Sequence, residues 1–195
     1  MSVSGGRTQR LATQYGVASG GTETTPTISG VSYQLHTFTS DGTFTVSKAG
    51  WFDILAFGGG GAGGTGTSAT NGGHGGGGAG GKFQTTIYLA AGSYSITVGA
   101  GGAGDSSASN FGGAKGGESG ILSLGVVAVG GGPGPHATGT SAAPLTGYQT
   151  KLGGSVGGQD GAWGTTAAYQ TLPVSGQGNQ GGTGASGTAG GGGGG

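Results

Sequence analysis

The chain contains no cysteine, so neither a disulfide staple nor a thiolate metal site is available to it. Charge is almost as scarce. Six Lys plus Arg offset six Asp plus Glu in 195 residues, and this balance leaves no electrostatic footprint for nucleic acid or an anionic membrane. No run of about 18 apolar residues occurs, and the opening MSVSGGRTQRLATQYGV lacks an apolar stretch, so neither a membrane span nor a signal peptide is expected. Proline is rare: Pro26, Pro133, Pro135, Pro144 and Pro173 all lie outside the periodic glycine runs, which argues against a collagen triple helix.

Glycine fills the space these absences leave, with 58 residues. Large apolar side chains are too few to offset the entropy of ordering such a chain, so dense backbone hydrogen bonding, association between copies, or both must contribute. In FGGGGAGGTGTSATNGGHGGGGAGG, residues 57–81, glycine recurs every third position at Gly60, Gly63, Gly66, Gly72, Gly75, Gly78 and Gly81, with Ala69 breaking the register. The terminal tract keeps the same step at Gly178, Gly181, Gly184, Gly187, Gly190 and Gly193. A period of three fits an extended polyproline-II-type helix better than an α-helix or a strand. Two readings follow. In one, the tracts pack side by side and every third residue is glycine because a Cβ there would block a neighbouring backbone; in the other they are solvated linkers.

Apolar runs feed directly into the tracts and favour packing. YQLHTFTSDGTFTVS alternates around Asp41-Gly42 and predicts a β-hairpin, with order beginning at Val31. WFDILAF predicts a buried strand. Strands are also expected over Phe83 to Leu89 and Tyr94 to Val98, and ILSLGVVAV predicts a strand pair or bent strand with Gly125 as bulge or turn. The expected fold is all-β: a glycine-rich, sandwich-like domain over residues 33–195 with packed polyglycine-II helices and few or no α-helices, preceded by an N-terminal arm over residues 1–32.

Chemistry-bearing patterns are thin. Gly58-x-Gly60-x-x-Gly63 follows a strand, as a dinucleotide fingerprint does, but more glycine follows it where a helix is needed. His36, His74 and His136 lack paired-ligand spacing, Asp53 has no partner acid or base at suggestive spacing, and no G-x-S-x-G elbow occurs. No catalytic residue, metal site or cofactor is therefore expected. Tyr148, Trp163 and Tyr169 differ, because they lie in segments too polar and glycine-broken for core strands; they suit either surface contact or capping of the glycine tracts.

The order HTFTSDGTFTVSKAGWFDILAFGGGGAGG, GGGGAGGKFQTTIYLAAGSYSITVGAGGAG, SNFGG, ESGILSLGVVAVGGGPG and a terminal glycine tract resembles the glycine-rich domain of bacteriophage tail and tail-fibre (minor tail) proteins. More loosely it is similar to phage adhesins that set polyglycine-II helices into a sandwich with receptor-binding loops at its ends. The resemblance implies a virion structural protein at a tail tip, fibre or spike, without enzymatic activity and found outside cells after release. It implies attachment to other virion proteins through an arm carrying Arg7, Arg10, Leu11 and Tyr15. Contact with a host glycan or surface protein is implied through loops over residues 65–71, 105–111, 133–150 and 159–175, with His74, Phe111, His136, Tyr148, Trp163 and Tyr169 as candidates. A homotrimer is the implied assembly, with no nucleic acid and no membrane insertion. A head decoration or fibre protein with a purely structural role is the alternative, followed by an ice-binding polyglycine-II protein.

Overall fold

Backbone alternation and long-range pairing build the first half of the molecule. A computed structural model describes residues 15–64, 75–104, 113–134, 154–155 and 173–182. Its strands are β1 (Val17–Ser19), β2 (Thr22–Thr24), β3 (Thr27–Ile28), β4 (Val31–Ser32), β5 (Leu35–Thr37), β6 (Gly42–Lys48), β7 (Gly50–Phe57), β8 (Lys82–Leu89), β9 (Gly92–Ile96), β10 (Ser119–Ile121) and β11 (Val126–Ala128). One 3₁₀ turn, Leu122–Leu124, is the sole helical element among the described residues, and the fold is all-β as the sequence predicts.

The sheet β1-β6-β9 faces the β7-β8 and β10-β11 pairs across a small core. Ala18, Phe44, Val46, Leu89, Ile121 and Val126 are buried there, flanked by Phe38, Phe52, Ile54, Phe83, Ile87, Tyr94 and Ile96. Phe44 is its aromatic hub, in edge-to-face contact with Phe52 (5.4 Å between centroids), His36 (5.2 Å) and Phe38 (6.3 Å).

Three expectations change. The Asp41-Gly42 turn does not close a hairpin, because β5 pairs with β2 while β6 pairs with β1 and β9. The turn instead passes the chain between sheets, and its Asp41 carboxylate accepts a hydrogen bond from the Val98 N–H at 2.8 Å. Strands also begin at Val17, well before Val31; this Thr- and Gly-rich stretch hides them because it buries only Ala18. Third, WFDILAF is buried on one face alone: Phe52, Ile54 and Ala56 turn inward, whereas Trp51, Asp53, Leu55 and Phe57 are exposed. Its acid is satisfied, since Thr86 Oγ1–H donates to Asp53 Oδ1 at 2.6 Å. ILSLGVVAV forms the expected strand pair, with Gly125 at φ 71° closing the turn between β10 and β11, a conformation that disfavours any residue with a Cβ.

Beyond the strands the glycine tracts pack as rods. Gly58, Gly61 and Gly64 donate their N–H groups to the carbonyls of Gly81, Gly78 and Gly75 at 2.8–2.9 Å, a step of three residues on both partners. The same step joins Gly59 to Gly117 and Ala62 to Ala114, and again Gly131 to Gly59 and Gly134 to Ala62. Hydrogen bonds leaving one rod toward several neighbours at a period of three define polyglycine-II packing, whereas a β-ladder repeats every two. The pairings lay the rods out in two close-packed layers. One holds 113–118, 129–134 and 154–155; the other holds 99–104, 58–64, 75–81 and 177–182.

Crowding explains the glycines within this lattice. A Cβ on Gly61 would overlap the Gly132 carbonyl, one on Gly130 the Gly116 carbonyl, and one on Gly80 the Gly58 carbonyl. The described parts of the tracts are packed, not solvated. The sequence register is nevertheless misassigned in the first rod. Gly60 and Gly63, read as packing positions, point outward, and a methyl group added at Gly60 would have no atom nearer than 3.8 Å. The outer side of rod 58–64 is open, and these residues lie on it.

Gln177 joins strand to lattice. Its side-chain amide imitates a peptide group: Oε1 accepts from Val129 N–H at 2.9 Å, and Nε2 donates to Val127 O at 3.0 Å. Gln177→Ala leaves both backbone groups part-buried and unpaired. A loss of about 2–4 kcal/mol in unfolding free energy is expected, measured by urea titration.

Candidate functional site

The lattice is a device for carrying chain to a distance. Rods 58–64, 99–104 and 129–134 run outward from β7, β9 and β11, while 75–81 and 113–118 return to β8 and β10. Six residues from Gly58 to Gly64, at about 3.1 Å each, place the far end about 19 Å beyond the strands.

At that end the described chain termini meet. Gly64 N–H bonds Gly75 O at 2.9 Å, Ala114 N–H bonds Ala103 O at 2.9 Å, and Gly134 N–H bonds Ala62 O at 2.8 Å. The points where segments 65–74 and 105–112 leave and return, and where 135–153 leaves, are therefore gathered at one pole. The pole itself is Gly, Ala and Pro133, and the only charged side chains on the described rods are Lys115 and Glu118, 3.8 Å apart. Bare backbone offers hydrogen bonds but little shape. Distinctive recognition at this end has to come from the side chains of the segments that spring from it.

The candidates named from sequence fall largely on those segments. His74, Phe111, His136, Tyr148, Trp163 and Tyr169 lie outside the described residues, as do Arg7, Arg10 and Leu11. Tyr15 is described: it is 70% exposed and forms a parallel bridge with Trp51 near the start of β7. Phe57, at the other end of β7, opens into the lattice, so Tyr15 lies at the pole opposite the gathered termini. His36 sits away from both poles' chain ends in the β2-β5 ribbon, where Nδ1 lies 3.0 Å from Gly20 O; a carbonyl can only accept, so that nitrogen carries the proton.

Two surfaces escaped the sequence reading. The outer face of β7-β8 presents Trp51, Leu55 and Phe57 beside Tyr88, with Trp51 and Tyr88 packed edge to face at 5.6 Å. Alternation in KFQTTIYL, which turns Lys82, Gln84, Thr86 and Tyr88 outward, was the available signal. The second surface is the ribbon formed by β2-β5 and β3-β4, whose residues from Thr27 to Leu35 are all exposed. No group of three or more His, Asp or Glu side chains among the described residues could hold a metal ion, and no helix among them is long and apolar enough to cross a membrane.

No curated protein and no solved structure matches the chain. A family does: the glycine-rich domain family matches residues 39–195, which take in β6 to β11 and every rod of the lattice, and the chain belongs to it.

Proposed function

We propose that this protein is a structural component of a bacteriophage particle, set at a tail tip, fibre or spike, whose segments at the far pole contact the host surface. The observation that carries the reading is the two-ended layout. Tyr15 lies at one pole, and the lattice gathers both ends of 65–74 and 105–112 and the start of 135–153 at the other, about 19 Å beyond the strands. The N-terminal segment, with Arg7, Arg10 and Leu11, attaches the domain to neighbouring virion proteins, and the opposite pole faces outward as a homotrimer. Near-zero net charge and the aromatic residues Tyr148, Trp163 and Tyr169 point to recognition of a glycan or protein surface by stacking, shape and hydrogen bonding. The resemblance to phage tail proteins supports the same reading.

The test has two arms. Mass spectrometry and immunogold labelling of purified particles are expected to place the chain at the tail. Fluorescently labelled protein is expected to adsorb to host cells and block infection, and Tyr148→Ala, in a segment that leaves the far pole, to weaken adsorption about tenfold or more, the scale of one aromatic hot spot, with an unchanged melting temperature. Absence from particles overturns the virion assignment. Presence without adsorption overturns the receptor role alone.

A further inference from the structure

The β2-β5/β3-β4 ribbon has the signature of an arm. Glu23 pairs with His36 and Ile28 with Val31, and Pro26, which cannot donate, interrupts the ladder while its carbonyl accepts from Tyr33 N–H at 2.9 Å. Ser29 (φ 51°) and Gly30 (φ 79°) both lie in the left-handed region, as a two-residue type I′ hairpin tip requires. A ribbon resting on a sheet buries alternate residues, yet here both faces are exposed along Thr27 to Leu35. Ile28 (57% exposed), Val31 (53% exposed), Tyr33 and Leu35 are large apolar side chains left about half exposed. An isolated two-stranded ribbon is marginal in water and needs a surface to rest on.

The outer face of β7-β8 has the complementary deficit. Tyr15, Trp51, Leu55, Phe57 (60% exposed) and Tyr88 lie open, and at roughly 100 Å² for each half-exposed large side chain they make a patch on the order of 500 Å², the scale that marks an interaction site. We infer that the arm of one copy of this chain docks on the β7-β8 face of a second copy. Dimensions agree: from Thr22 to Ile28 and from Trp51 to Phe57 the chain advances six residues, about 20 Å in each case, and both surfaces are two strands wide. Charge sets the direction. Glu23 lies at the arm's base and Lys82 at the Phe57 end of the face, so placing these two together brings Ile28 and Val31 onto Trp51 and Tyr88. Together the two surfaces, with their polar flanks, approach the roughly 1,200 Å² of a specific interface. The contact joins different patches on the two copies, so it closes either as a reciprocal twofold pair or, head to tail, as a ring. This inference stands apart from the virion reading.

Sedimentation equilibrium of the full chain at about 100 μM, where even weak contacts register, is expected to give a mass of two or more copies. Ile28→Asp with Val31→Asp, on the arm, and Leu55→Asp, on the face, are each expected to give monomers with unchanged melting temperatures, because all three positions are exposed. Mixing the two variants is expected to restore a pair, since one supplies an intact arm and the other an intact face. Slowed amide exchange in β3 and β4 of the wild-type chain as its concentration rises provides a readout that needs no variant. A wild-type monomer, an assembly that survives both variants, or a mixture that stays monomeric overturns the inference.

Discussion

Gly61→Ala is expected to lower the melting temperature by roughly 8–16 °C, whereas Gly60→Ala, one residue away, is expected to move it by no more than a few degrees in either direction. At Gly61 the new methyl would overlap the Gly132 carbonyl, and relief requires separating rods 58–64 and 129–134. That movement breaks the Gly131-Gly59 and Gly134-Ala62 hydrogen bonds, which join these two rods. Overpacking at about 1–3 kcal/mol and hydrogen bonds at about 0.5–1.5 kcal/mol each combine to about 4 kcal/mol, a large part of the stability of an ordinary domain. At Gly60 the nearest atom is 3.8 Å from the added carbon, and alanine restricts the unfolded chain, an effect of about 0.4–1 kcal/mol in favour of folding. Thermal melts of the two variants under one set of conditions decide the matter. Equal melting temperatures would show that the first tract is not packed in this lattice.

Phe44→Ala should rank beside it. Phe44 is buried and touches Phe52 on β7 as well as His36 and Phe38 at the root of the arm, so truncation opens a cavity and ends three edge-to-face contacts. A cost of about 3–5 kcal/mol is expected, seen as a lower urea midpoint with the slope retained. Because the arm's root is fastened at this ring, amide exchange in β2 and β5 should accelerate more than exchange in β7 and β8. Uniform acceleration would mean that the root is held by other contacts.

Much of this architecture is legible in the sequence because it depends on local pattern. WFDILAF and KFQTTIYL give strands through β-propensity and length, Gly125 breaks ILSLGVVAV where the turn falls, and the three-residue step identifies the type of glycine helix. Partners are another matter. β6 pairs with β9 about fifty residues away, and nothing local in TFTVS names SYSI as its neighbour. The direction each glycine faces is also hidden, since consecutive glycines at 58–61 carry no side chain to report it. Alanine is the partial exception: Ala100 and Ala103, one helical repeat apart, mark an exposed side of rod 99–104. Gln177 could not be found at all, because its role exists only where Val127 and Val129 arrive from fifty residues upstream. The polar interruptions between glycine tracts were legible as candidate segments. That the ends of 65–74 and 105–112 meet at one pole follows from rod direction, which emerges only with the strand pairing.

The two-layer lattice separates what must be kept from what can be changed. Its rods are fixed by main-chain pairing and tolerate almost no side chains inside, yet the pairs Gly64-Gly75 and Ala103-Ala114 close the pole whatever the intervening sequence contains. Doubling the length of such a connection costs only about 0.6 kcal/mol of closure entropy. The pole is thus a cassette: inserts of new length and composition can be exchanged between Gly64 and Gly75, or between Gly104 and Gly113, without redesigning the body that displays them.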